Sequence, residues 1–168
     1  ENGVFRSMDA GATWAKVASL TGSGGNTRYC GSIAVDPTDD ANCYVTQTGG
    51  VWFSSNANAA TPTFTSVTLP DRGSAPPGWA VYDEEGNIYI NTLVSGATGP
   101  KIYYKAKGDT TWHNIGNDPV FRSLGGFAMQ MTLGPGPTPV IYVASFNTGI
   151  SVGIRKSPAR KGFALYNR

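Results

Sequence analysis

The apolar residues of the chain are grouped in short runs, in which they alternate with polar residues or stand together in fours and fives. Both patterns are typical of β-strands, and no stretch repeats its apolar residues with the 3.6-residue period of a helix. Gly, Pro, Ser, Thr and Asn are concentrated between the runs, where they favour turns. The pattern therefore predicts an all-β protein with many turns.

Four of the runs resemble one another and follow at steps of about 47 to 51 residues; they are GVFRS (3–7), GVWFS (50–54), KIYYK (101–105) and ISVGIRKS (150–157). A polar turn and a second short run follow each of them: TWAKVA, TFTSVTL, TWHNI and GFALYN. The first three units then continue into a loop and two strands joined by a tight turn: SIAVDP with CYVTQT, WAVYDE with NIYINTL, and GFAMQMTL with PVIYVAS. The chain is therefore built from repeats.

Four short strands in every 45 to 50 residues or so are typical of a β-propeller blade. With the strands of a blade labelled A to D from the axis outward, the chain begins at a C strand. The pattern predicts about three and a half four-stranded antiparallel blades in a single partial propeller domain over residues 1–168, with repeats near 3–49, 50–100, 101–149 and 150–168. Since propeller rings close with about four to eight blades, we expect the remaining blades of a seven-bladed ring to come from the same or another chain.

The first C–D turn, SMDAGATW, contains five residues suited to a structural role: Ser7, Asp9, Gly11, Thr13 and Trp14. An Asp side chain can accept hydrogen bonds from backbone amides of its own turn, and Gly allows a positive φ. We expect Trp14 to be buried between blades, like Trp52 and Trp112 at related positions. The later turns carry weaker versions, SSNANAATPTF, KAKGDTTW and KSPARKGF. A catalytic carboxylate has no reason to recur once per blade, so Asp9 is predicted to be structural.

SMDAGATW resembles the Asp-box (BNR) motif, S-x-D-x-G-x-T-W, found in sialidases, sortilin-type receptors, a photosystem-assembly propeller and glycoside hydrolase family 74. Two longer stretches favour the last of these families. GSIAVDPTDDANCYV followed by GGVWFSS resembles the inner hairpin of a family 74 blade and its continuation. DEEGNIYINTLVSGATGPKIYYKAKGDTTWHNI resembles part of the first propeller of that family.

The resemblance implies part of a secreted protein that acts on polysaccharides or oligosaccharides, of the xyloglucanase or endo-β-glucanase type. Such a parent would hydrolyse glycosidic bonds with two carboxylic acids, while this stretch would supply blades and cleft loops and be inactive alone. Whether the chain is part of an enzyme stays open. The alternative is a non-catalytic structural or interaction propeller, receptor-like or in an extracellular assembly, and a sialidase-like protein is favoured less.

In the resembling propellers, the ligand face carries the B–C turns and the D–A crossovers. The residues expected to contact carbohydrate there are Arg28, Tyr29, Arg72, Trp79, Arg122 and Phe146. Aromatic rings pack on the apolar faces of pyranoses, and guanidinium groups donate to hydroxyls or carboxylates. For Trp79 the alternative is burial between blades, and for the three arginines it is an ordinary surface loop.

The acidic residues give no convincing catalytic pair. Only Asp71 and Asp118 fall in the expected ligand loops, and neither has the sequence context of the family's catalytic motifs. We therefore assign no catalytic residue. The pair Asp39 and Asp40, and the group 83–85, are expected in A–B turns on the opposite side.

The composition of the chain argues against several other functions. Charged residues make up 14% of the chain and the net charge is +2, so we expect no nucleic-acid partner. No apolar run is long enough for a membrane helix, and the polar start ENG suits a mature extracellular protein. We expect no disulfide, since Cys30 and Cys43 are predicted to face opposite sides of a hairpin. With His113 as the single histidine, we expect neither metal nor cofactor.

Overall fold

The computed structural model describes residues 3–20, 30–92, 101–116, 128–134, 140–145, 149–155 and 163–166. Within these ranges there are strands, turns and bends but no helix. The strands are β1 (Val4–Arg6), β2 (Ala15–Ala18), β3 (Cys30–Asp36), β4 (Asp39–Gln47), β5 (Gly50–Ser54), β6 (Thr65–Val67), β7 (Pro77–Tyr82), β8 (Ile88–Thr92), β9 (Ile102–Lys105), β10 (His113–Asn114), β11 (Ala128–Leu133), β12 (Val140–Ser145), β13 (Gly149–Arg155) and β14 (Phe163–Tyr166).

The strands pair in chain order and every pair is antiparallel. Strands β1 and β2 form a two-stranded pair, which we call the first pair. The first full sheet contains β3–β6, the second β7–β10 and the third β11–β14. Each strand lies at one of the predicted runs, so the repeat of four strands is confirmed.

The sheets stack face to face around three separate hydrophobic cores. The first core lies between the first pair and the first full sheet and is centred on Val4, Val45 and Trp52. The second lies between the first and second full sheets, and the third between the second and third. Strands β3, β7 and β11 contact one another from sheet to sheet, so the first strand of each full sheet is the inner one. This is the arrangement of successive β-propeller blades.

The middle strands of the second full sheet are covered on both faces, and their apolar residues therefore occur in unbroken runs. In β8, Ile88 and Ile90 face the second core, whereas Tyr89 between them faces the third. In β9, Tyr103 faces the second core and its neighbours face the third. Because side chains alternate across a strand and both faces of the sheet are covered, adjacent residues are all buried.

The inner strands of the first and second full sheets approach so closely that only glycine fits between them. A Cβ atom at Gly31 would lie 2.1 Å from the carbonyl oxygen of Gly78. The Thr46 hydroxyl donates to the same carbonyl, and the amide of Ala80 donates to Ser32 Oγ over 2.6 Å. Side-chain hydrogen bonds thus join β7 to the preceding sheet where backbone pairing is absent.

The first A–B hairpin is tighter than the sequence predicted. Asp36 pairs with Asp39, so only Pro37 and Thr38 form the turn, and the Asp36 carboxylate accepts from the Thr38 amide (2.8 Å) and hydroxyl (2.6 Å). The prediction that Asp39 and Asp40 belong to the turn is wrong, since both begin β4. The hydrogen bonds to the Asp36 side chain close the turn with only two residues, which makes it shorter than the predicted turn.

Cys43 is a buried free thiol in the first core. The register places Cys30 opposite Gln47, four residues along β4 from Cys43, which separates the two positions by roughly 13 Å along the strand. This spacing along the hairpin is too long for a disulfide between the two positions.

Candidate functional site

The connections between strands are divided between the two ends of the sheets. Because consecutive strands are antiparallel, the A–B and C–D turns share one end, which we call the turn end. The B–C and D–A connections share the other, which we call the crossover end. The sequence analysis assigned the predicted carbohydrate contacts to the crossover end. Of these contacts, Arg72 and Trp79 are in the described part of the chain, whereas Arg28, Tyr29, Arg122 and Phe146 lie outside it. Asp118, which was considered only as an acid, also lies outside it.

The described part of the crossover end centres on the connection between β6 and β7. Asp71 is exposed and has a φ of 53°, and the Arg72 guanidinium donates to the carbonyl of Ala75 over 2.6 Å. Lys101, which precedes β9, donates through Nζ to the backbone carbonyl of Asp71. The connection therefore contains an exposed acid, Asp71, and two cationic side chains, Arg72 and Lys101, that are each held by a backbone carbonyl.

Tyr103 lies beneath this connection and was not identified from the sequence. Its side chain is fully buried, and in the described part of the chain its hydroxyl has no hydrogen-bond partner. Burial raises the pKa of Tyr103 to about 12, with a further increase from Asp71 and an opposing effect from Arg72. The phenol is therefore neutral at physiological pH, a potential donor among charged neighbours. The alternation of side chains along KIYYK predicts that Tyr103 and Tyr104 face opposite sides of the sheet. That Tyr103 approaches the β6–β7 connection depends on the tertiary structure.

Trp79 stands near the start of β7, at the same end of the sheets. Its side chain is partly buried and packs against the third core, which contains Tyr89 and Met131. Its backbone amide donates to the side-chain oxygen of Asn91. Much of the ring therefore contributes to packing between sheets, and only its exposed remainder is open to a ligand.

At the turn end, the Ser7–Trp14 turn is held together by its own side chains. The Asp9 carboxylate accepts from the Thr13 amide (2.8 Å), the Thr13 hydroxyl (2.6 Å) and the Ser7 hydroxyl (2.8 Å). Ser7 Oγ in turn accepts from the Gly11 amide over 2.7 Å, and Gly11 has a φ of 92°. These bonds favour the ionised acid and lower the pKa of Asp9 to about 2, with the Thr13 hydroxyl the largest cause.

The second C–D turn repeats this bonding with an amide in place of the acid. Ser54 donates to Asn56 Oδ1 over 3.0 Å, and that oxygen also accepts from the Thr63 amide over 2.9 Å and from its hydroxyl over 3.1 Å. An insertion between Asn56 and Thr63 lengthens the turn without changing the pattern. A neutral amide oxygen can therefore form the bonds of this turn, while an ionised acid accepts the same bonds more strongly.

In the third C–D turn, Asp109 accepts from the Thr111 amide over 3.0 Å, and this bond is the main cause of its lowered pKa. His113 Nε2 lies 3.8 Å from Asp109 Oδ2. In the second A–B turn, as predicted, Asp83 accepts from the amides of Glu85 and Asn87. Asp9, Asp83 and Asp109 at the turn end thus each accept from backbone amides.

The expectation that Trp14 is buried is wrong. Trp14 is 65% exposed, whereas Phe64 and Trp112, which follow the second and third C–D turns, pack against cores. These two rings face the core shared with the preceding sheet. No described sheet precedes the first pair, so the described residues leave Trp14 largely exposed.

Within the described ranges, no three His, Cys, Asp or Glu side chains are grouped closely enough to hold a metal ion. The described residues also contain no helix that is long and apolar enough to cross a membrane.

No family model matches the chain, and no curated protein matches its sequence. Among solved structures, an ancestral GH74 enzyme resembles the chain with a TM-score of 0.68 over 99% of the chain, at 16% sequence identity. The chain has the fold of β-propeller blades. At this identity the likeness concerns the fold alone, and it relates the blades to those of a glycoside hydrolase. The chain spans 22% of the length of that enzyme.

Proposed function

We propose that the chain is part of an extracellular, polysaccharide-directed propeller protein that acts on β-glucans such as xyloglucan. The observation that carries this proposal is the likeness to a GH74 enzyme over nearly the whole chain. The Ser7–Trp14 turn, which resembles an Asp-box, and the repetition of its bonding around Asn56 support the same relationship.

In this proposal the crossover end faces the polysaccharide. The exposed part of Trp79 packs on a pyranose face, while Arg72 and Lys101 donate to its hydroxyls. Asp71 accepts from sugar hydroxyls at the same place. Hydrolysis needs two carboxyl groups, one as general acid and one as general base, and the parent protein supplies them, since the described crossover end presents only Asp71.

Binding of xyloglucan oligosaccharides, measured by isothermal titration calorimetry, tests the role of the crossover end. Trp79→Ala weakens binding at least several-fold, and Arg72→Ala weakens it without disturbing the third core. Trp14→Ala is the matched control, because Trp14 is an exposed tryptophan at the opposite end. Equal loss of binding in the Trp14 and Trp79 variants would contradict the proposal. Thermal unfolding of each variant separates lost contacts from lost folding.

A second test concerns hydrolysis. A reducing-sugar assay on xyloglucan should show release by a longer parent protein and none by this chain alone. If neither releases sugar nor binds xyloglucan, the alternative is correct and the propeller is a non-catalytic interaction module. That alternative has one observation in its favour: Asp9, Asp83 and Asp109 serve their own turns, at the end away from the expected cleft.

A further inference from the structure

Each full sheet has a β-bulge near the start of its inner strand, at the crossover end. The register shifts between Cys30 and Ser32 in β3 and between Pro77 and Ala80 in β7. A corresponding shift lies in β11, over residues 128–130. A bulge takes a backbone amide out of the ladder and re-aims the neighbouring side chain. At this end of the sheets, the bulges therefore decide where side chains of the inner strands point.

In the first two full sheets, a buried side chain of the second strand bonds the amide that the bulge sets free. The Ser32 amide donates to Thr46 Oγ over 2.8 Å, and the Trp79 amide donates to Asn91 Oδ1. Thr46 and Asn91 are both 0% exposed. The same bond is thus formed twice by different groups, a hydroxyl and a side-chain amide.

The peptide unit that joins Gly78 to Trp79 is held by side chains from two sheets. Its carbonyl oxygen accepts from the Thr46 hydroxyl of the first full sheet, and its amide donates to Asn91 of the second. Gly31 leaves room for the Thr46 bond, since a Cβ atom there would collide with both bonded atoms. Because a peptide unit is planar, these two bonds fix its orientation and, with it, the position of the Trp79 Cα atom.

We propose that Asn91 is a positioning residue, which holds the Trp79 indole at the angle at which its exposed part receives the face of a pyranose. One side of the indole packs against the third core, and the Asn91 bond fixes the backbone from which the ring projects. A side chain that is already ordered loses less conformational entropy when a ligand binds. Since Asn91 is fully buried, it acts through Trp79 and does not contact the sugar itself. The choice of a sugar as ligand rests on the proposed function, whereas the orientation of the ring does not.

The chain itself suggests a matched pair of variants. Asn91→Thr introduces the hydroxyl that forms the equivalent bond at Thr46, whereas Asn91→Val has the shape of that threonine without an acceptor oxygen. Both variants remove every other interaction of the Asn91 side chain. A difference between them therefore reports the bond to the Trp79 amide.

The orientation of the indole is measured without ligand, by fluorine NMR of the chain labelled with fluorotryptophan. Trp79→Phe identifies the Trp79 signal among those of the four tryptophans. We expect one narrow Trp79 signal in the chain and in Asn91→Thr, and a shifted or broadened one in Asn91→Val, with the Trp14 signal unchanged. A purely structural role of Asn91 would lower the Tm and leave the Trp79 signal in place. An unchanged Trp79 signal in Asn91→Val would overturn the proposal.

Calorimetric binding of xyloglucan oligosaccharides then tests the role of the orientation. Asn91→Val should weaken binding at least several-fold, whereas Asn91→Thr should bind nearly as tightly as the chain. Equal affinities of the chain and both variants would refute the positioning role. If the unmodified chain does not bind xyloglucan, the proposed function fails, while the fluorine signal still decides whether Asn91 positions Trp79.

Hydrogen exchange of the unmodified chain keeps the proposal testable if Asn91→Val does not fold. Because the Trp79 amide donates to a buried side chain, it should exchange at least about a hundred-fold more slowly than an unprotected amide. Exchange at the unprotected rate would exclude the bond on which the positioning depends.

Discussion

Truncation of Ile90 to alanine tests most directly whether the sheets stack as blades. Ile90 is 0% exposed and belongs to the core between the first and second full sheets, together with Tyr44 and Tyr103. The substitution removes about three carbon atoms at roughly 0.8 kcal/mol each. The cavity that remains adds to this loss, so the expected cost is about 2–5 kcal/mol.

For a chain of this size, that loss lowers the Tm by about 5 to 15 °C, which calorimetry or circular dichroism detects readily. Ile33→Ala is the matched control, because the same side chain is removed from a position that is 55% exposed; its cost should stay within about 0.5 kcal/mol. Similar Tm losses for the two variants would refute the stacking of the second sheet on the first.

Three further predictions follow from single residues. Tyr103→Phe should keep or raise the Tm, by up to about 1 kcal/mol of stability, because it removes a buried hydroxyl without a described partner; a clear loss by calorimetry would reveal a partner. Gly31→Ala should lower the free energy of unfolding, measured with denaturant, by at least about 1–3 kcal/mol, because the new Cβ would meet the Gly78 carbonyl. Gly73→Ala is the control and should lower it less, since no atom lies near its Cβ, although its φ is 60°. The pKa of Asp9 is about 2 in the folded chain and 3.8 ordinarily, so the stability that ionised Asp9 contributes is complete above pH 3.8 and is lost as the pH falls toward 2. The difference in Tm between the chain and Asp9→Asn should therefore shrink between pH 3.8 and pH 2. A constant difference would contradict the role of the ionised acid.

Much of the strand order could be predicted from the sequence. GVWFS coincides with β5, and the other apolar runs contain or overlap their strands. These local predictions succeed because alternation and turn residues act over a few positions. The same holds for the Ser7–Trp14 turn, where the spacing of Ser7, Asp9 and Thr13 alone brings the bonded atoms together.

The burial of Trp14 and the position of Tyr103 could not be predicted in this way. Trp14 and Trp112 follow similar turns, but only Trp112 has a preceding sheet to pack against among the described residues. Tyr103 resembles any strand tyrosine, and only the path of the β6–β7 connection brings Asp71 and Arg72 near it. The candidate site thus depends on contacts between residues distant in sequence.

The sequence by itself determined the β class, the period of the repeat and the chemistry of the Ser7–Trp14 turn, because these depend on neighbours a few residues apart. Only the tertiary structure decided which face of each sheet is covered, how closely β3 approaches β7, and which apolar residues stay exposed. Burial is a property of two surfaces that meet, and a strand carries the pattern of only one of them.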